Sequence, residues 1–102
     1  VLRARLADAK FFYDEDLKVP LEEFRARLAE VAFQEKLGSV LEKSDRIEDL
    51  SLAIAHAARV GAHAASDAQR AAHFAKADLV SSAVIEFTSQ QGVMGGYYAL
   101  RR

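Results

Sequence analysis

Asp78 is the residue whose setting most demands a chemical explanation. It stands within AAHFAKADLVSSAVIEFTSQQGVMGGYYAL, residues 71–100, four residues after Phe74 and beside Leu79 at the edge of an apolar helical stripe. Buried carboxylates need partners. The sequence offers Lys76, the arginines of the first helix, or a metal. Asp8, Asp14 and Glu86 are further acids that could work with Asp78 as general acid and base. No spacing selects a pair among them, so salt-bridge duty is the expectation.

The histidines offer less. His56 and His63 lie seven residues apart with Gly61 between them, whereas zinc sites on helices use i, i+4 pairs. No third ligand stands nearby. His73 is expected to be alone and half-exposed. Gly92-Val93-Met94-Gly95-Gly96 lacks both the preceding strand and the following lysine of a phosphate-cradling loop. No serine is backed by an evident histidine and acid. Arg3, Arg5 and Lys10 form a cationic group on the first helix. They either solvate it or contact phosphate.

The chain has 102 residues, 51% hydrophobic and 28% charged, with net charge −1 and no cysteine. Disulfides, thiolate metal sites and cysteine nucleophiles are thereby excluded. The near-neutral balance gives no bulk attraction to nucleic acid. No apolar run approaches the roughly 20 residues of a membrane helix, and no signal-peptide pattern opens the chain. Abundant alanine, five glycines and one proline favour helix over sheet.

Helical periodicity then places the elements. Leu2, Leu6, Ala9 and Tyr13 form one stripe, closed by an acidic turn at Asp14, Glu15 and Asp16. Pro20 opens a second helix expected to run through Leu21, Phe24, Leu28 and Val31 to about Phe33. Gly38 is expected where two helices touch. A third helix should reach about Gly61, with Ser44 as a candidate cap. Ser66 or Asp67 should cap a fourth, which presents Ala68, Ala71, Ala72 and Ala75 and continues through Asp78 to Phe87. A glycine loop then leads to Tyr97 and Tyr98, one of them inside. The expected fold is an all-α bundle of about five helices. Residues 1–102 read as a single helical domain excised from a longer chain.

Several blocks carry a resemblance. VLRARLADAKFFY (1–13), FQEKLG (33–38), KADLV (76–80), Glu86-Phe87, QGVMG (91–95) and Tyr97-Tyr98-Ala99 resemble the beta subunit of bacterial glycyl-tRNA synthetase, in order and nearly throughout the chain. The stretch is similar to that subunit's HD-like helical domain. The resemblance implies a partner alpha subunit carrying the site for glycine and ATP with Mg²⁺, and a cytoplasmic enzyme. It also implies a beta subunit that supplies most of the tRNA recognition. This chain would then scaffold the remainder of the beta subunit without an active site or cofactor of its own. Its tRNA-contact candidates are Arg3, Arg5, Lys10, Lys36 and Lys76.

Active HD proteins hold a divalent metal with a His-Asp pair and further ligands. Here Ala77-Asp78 stands at that pair, and Gln34 or Glu35 stands near the upstream histidine position. Asp78 is thus expected to be a degenerate remnant with no metal. Gly96 stands where the family commonly has arginine. The alternatives to a synthetase module are a metal-dependent phosphohydrolase and a helical packing module with no ligand.

Overall fold

The computed structural model describes residues 2–101. Among these, six α-helices and one small hairpin form an essentially all-α bundle. Helix α1, Leu2–Leu17, runs on through the expected acidic turn and buries Asp16. The first turns of α1 bury little: Leu2 is 72% exposed and Leu6 63%. Pro20 caps α2, Leu21–Arg27, whose first turn carries Glu22 and Glu23, where negative charge suits the helix dipole.

Helix α2 does not reach Phe33. A 3-10 turn at Leu28–Glu30 ends it. Strands β1, Ala32–Gln34, and β2, Gly38–Ser39, then pair antiparallel, Ala32 opposite Ser39 and Gln34 opposite Gly38. Gly38 is therefore a hairpin residue, not a helix contact. Its φ is +85°, and a Cβ there would lie 2.5 Å from the Glu42 carboxylate, so only glycine fits without displacing that side chain. Glu42 is held in place because Ser39 and Glu42 form a reciprocal capping box at the start of α3, Val40–Ala57. The cap thus lies five residues before Ser44, which is buried in mid-helix. Helix α3 stops short of Gly61, with Arg59 in the left-handed region at φ 60°.

Helix α4 spans Ala62–Phe74 with Gly61 as its cap, so Ser66 and Asp67 lie inside it. It packs closely on α3. The long fourth helix expected through Asp78 is broken: a 3-10 turn covers Ala77–Val80, and α5 is Ser82–Glu86. Two side chains start α5. Ser81 Oγ accepts from Val84 N–H at 3.3 Å, and Asp16 accepts from Ser82 and Ala83 N–H at 2.9 and 3.0 Å. That long-range cap draws α1 and α5 together. After a 3-10 turn at Thr88–Gln90, α6 runs Val93–Leu100, so Gly95 and Gly96 are helical, not loop residues.

The core is Leu21, Phe24, Ala77 and Tyr98, with Tyr13, Leu17, Val19, Phe74, Val80 and Met94 against it. Tyr98 is fully buried while Tyr97 is 56% exposed, as the one-tyrosine-inside reading requires.

Candidate functional site

Asp78 sits on the 3-10 turn between α4 and α5 and is fully buried. Its partner is neither Lys76 nor an arginine of α1. Its Oδ2 accepts from Gly92 N–H at 2.7 Å and Gly95 N–H at 2.8 Å. These donors open α6, where unpaired N–H groups and the dipole together favour an anion. Gly92 aims its N–H inward with φ +84°, a conformation natural to glycine. Gly95 lets the helix approach: a Cβ there would lie 3.2 Å from the same Oδ2. Asp78 Oδ1 has no hydrogen-bond partner among the described residues.

Asp16 is the second buried acid, and nothing in its sequence setting separates it from its neighbours Asp14 and Glu15. Besides capping α5, it accepts from the Tyr98 hydroxyl at 2.6 Å. Burial and then the Asp16 carboxylate push the Tyr98 hydroxyl far above the ordinary phenol range, so it stays a proton donor. Asp16 and Asp78 together fix α1, α5 and α6 around Tyr98.

A third polar cluster joins α2, α3 and α4. His73 meets Glu48 through Nδ1 at 2.6 Å and Glu22 through Nε2 at 2.9 Å. Arg25 donates Nε–H to the His73 carbonyl at 2.7 Å, and its Nη2 pairs with Asp45. Gln69 donates to Glu48 at 3.2 Å. Two carboxylates that only accept require both ring nitrogens to carry protons. Burial alone would lower the His73 pKa, but the hydrogen bonds to Glu22 and Glu48 outweigh it and raise it. The His73 hydrogen bond in turn lowers Glu48. His73 is half-exposed, as expected, but it is no lone residue. His56 and His63 are exposed.

The residues do not fit an HD-type metal. Ala77 offers no donor, and Asp78 has spent one oxygen on backbone N–H groups. Gln34 and Glu35 are exposed on the hairpin, and His73 is held between carboxylates. Among the described residues no three acidic or histidine side chains are placed to hold a metal ion.

The cationic candidates are distributed over several elements. Arg3, Arg5 and Lys10 lie exposed on α1, Lys36 is exposed on the hairpin, and half-buried Lys76 follows α4. Arg5 pairs with Glu86 at 3.4 Å and lies 4.5 Å over the Phe87 ring. Lys10 pairs with Asp14 at 2.7 Å, whose hydrogen bond raises the lysine pKa. Asp14 and Glu86 thus have the salt-bridge duty expected of them. Such exposed pairs contribute little and exchange readily.

A groove of about 700 Å³ runs between α2, α4 and α6. Gly95, Gly96 and Ala99 lie on its α6 wall, and Asp67, Arg70, Ala71 and Phe74 on its α4 wall. No helix among the described residues is long and apolar enough to cross a membrane.

A family model described as glycyl-tRNA synthetase beta subunit matches residues 1–102. The chain is 56% identical over 99 residues to the glycine–tRNA ligase beta subunit of Desulfatibacillum aliphaticivorans, covering 97% of this chain and 14% of that protein. It is 50% identical over 99 residues to that of Rhodospirillum centenum, with the same shares of the two chains, 97% and 14%. It is 49% identical over 100 residues to that of Halothermothrix orenii, with shares of 98% and 15%. The chain therefore spans about a seventh of the length of these relatives. On the match of its whole length, the chain belongs to the glycyl-tRNA synthetase beta subunit family.

Proposed function

We propose that this chain is a non-catalytic helical module of the beta subunit of a cytoplasmic glycine–tRNA ligase. It scaffolds the remainder of that subunit and adds cations to a tRNA-facing surface. The carrying observation is how its buried carboxylates are used. Asp16 and Asp78 are the buried acids among the described residues, and each accepts from backbone N–H groups at a helix start. A carboxylate engaged in this way positions helices by satisfying their open N–H groups. This supports a structural role for both acids.

Attachment of glycine, with ATP and Mg²⁺, is assigned to the alpha subunit. The alpha subunit, the remaining beta polypeptide and tRNA are the partners. Arg3, Arg5, Lys10, Lys36 and Lys76 are the contact candidates, and Arg5 and Lys10 would exchange their surface carboxylates for phosphate. The pairing of those two with Glu86 and Asp14 also favours a second reading, a packing module that never meets RNA.

Neutralising the five cations in pairs within the assembled synthetase separates the readings. The tRNA-facing reading expects weaker tRNA binding and a shallower dependence of affinity on salt. The log–log slope should fall by about one unit for each phosphate that is no longer neutralised. Unchanged affinity and slope would leave the packing module.

A further inference from the structure

We propose that the outer face of α6 is an internal interface, covered by an apolar segment of the beta-subunit polypeptide outside this chain. The proposal rests on the beta-subunit reading above. Helix α6 reads VMGGYYAL and carries no charged side chain. Its inner face is fully used: Tyr98 is in the core, Met94 packs on it, and Gly95 meets Asp78. Its outer face is equally apolar. Val93, Tyr97 and Leu100 follow one another at helical spacing and are 49%, 56% and 83% exposed. A helix apolar on all sides belongs in an interior, because a surface helix keeps a polar face toward water.

The occupant follows from charge and from length. The groove beside this face has Gly96 and Ala99 on its α6 wall, and Glu22, Asp67 and Arg70 among its polar residues. The groove's two acids and one base, with exposed Arg101 beyond Leu100, leave no cationic excess to hold a phosphate backbone, so RNA is a poor occupant. A helix with no charged side chain of its own suits the apolar centre of a permanent contact, with charged residues at its rim. The relatives are about seven times longer than this chain, which leaves ample polypeptide of the same subunit to cover it. The small side chains at Gly96 and Ala99 let a covering backbone come close.

The test places a photo-crosslinking residue on this face in the complete beta subunit, assembled with its alpha subunit. Tyr97→p-benzoylphenylalanine is one variant, and Leu100→p-benzoylphenylalanine repeats the test should the first fail to assemble. The expected result is an intramolecular cross-link to a beta-subunit peptide outside residues 1–102. A cross-link to the alpha subunit, to a second beta subunit or to added tRNA would overturn the proposal. So would efficient irradiation with no cross-link from either position. The readout reports packing alone. It would survive failure of the tRNA-facing reading, just as tRNA affinity would survive a bare α6.

Discussion

At the scale of residues, Asp16 and Asp78 solve the same problem. Each supplies a carboxylate to the open N–H groups of a short helix, from a distant point in the chain. Their neighbours are tuned to this. A Cβ on Gly95 would press on Asp78, whose position is fixed by two hydrogen bonds, whereas a Cβ on Gly96 meets nothing within 4 Å. Gly96→Ala should therefore stabilise this chain by about 1 kcal/mol, the ordinary helix gain. Gly95→Ala should destabilise it by about 2 kcal/mol, because displaced hydrogen bonds to a charged group outweigh that gain. Urea unfolding of the two variants checks the opposite signs. Tyr98→Phe keeps the ring but removes the hydroxyl that donates to Asp16. It should cost about 1–2 kcal/mol with no change of helix content by circular dichroism. The importance of Asp78 was legible in sequence, since a lone acid beside an apolar stripe has few explanations. Its partners were not, because backbone N–H groups carry no residue-type signal. Asp16 was hidden for another reason: it sits among acids that only make exposed ion pairs with Lys10 and Lys18, and only the position of α5 distinguishes it.

At the scale of elements, the junction of α2, α3 and α4 is held by His73 between Glu22 and Glu48. The folded-state pKa of His73 is raised above its ordinary 6.5. Its contribution is therefore complete below about pH 6.5 and is lost as pH rises through the raised value. Glu48 is lowered from its ordinary 4.5, so its contribution is present above about pH 4.5 and is lost as pH falls through the lowered value. Their joint contribution is thus greatest between about pH 4.5 and 6.5. Thermal unfolding from pH 6 to 9 should show a falling melting temperature, and His73→Gln should flatten that slope; a wild-type curve already flat there would contradict the clamp. Periodicity located α1, α2 and α3, α2 through its proline-marked start, but it placed the start of α6 in a loop because that helix is apolar throughout and glycine-rich. It failed at the breaks. The hairpin turns on Gly38 at positive φ, and the break at Ala77–Val80 is followed by an α5 that both Ser81 and, from α1, Asp16 cap. The Asp16 cap, 66 residues away, is not a property of the local sequence.

At the scale of the whole molecule, the chain spans about a seventh of the length of its relatives, and its surfaces are of three kinds. The α1 and hairpin cations face outward, the His73 junction is self-contained, and the α6 face is apolar without a local cover. The family was legible from blocks of sequence. How the parts meet was not, since an exposed Leu100 looks the same in sequence as a buried one. The central claim is that the buried acids hold structure and do no chemistry. Steady-state glycylation by the complete synthetase carrying Asp78→Asn, assayed well below its melting temperature, tests this most directly. The amide oxygen can still accept from Gly92 and Gly95, so the account predicts a lower melting temperature with kcat and the KM for tRNA within about twofold of wild type. A kcat lower by about a hundredfold with an unchanged melting temperature would contradict it, and would make Asp78 a catalytic residue.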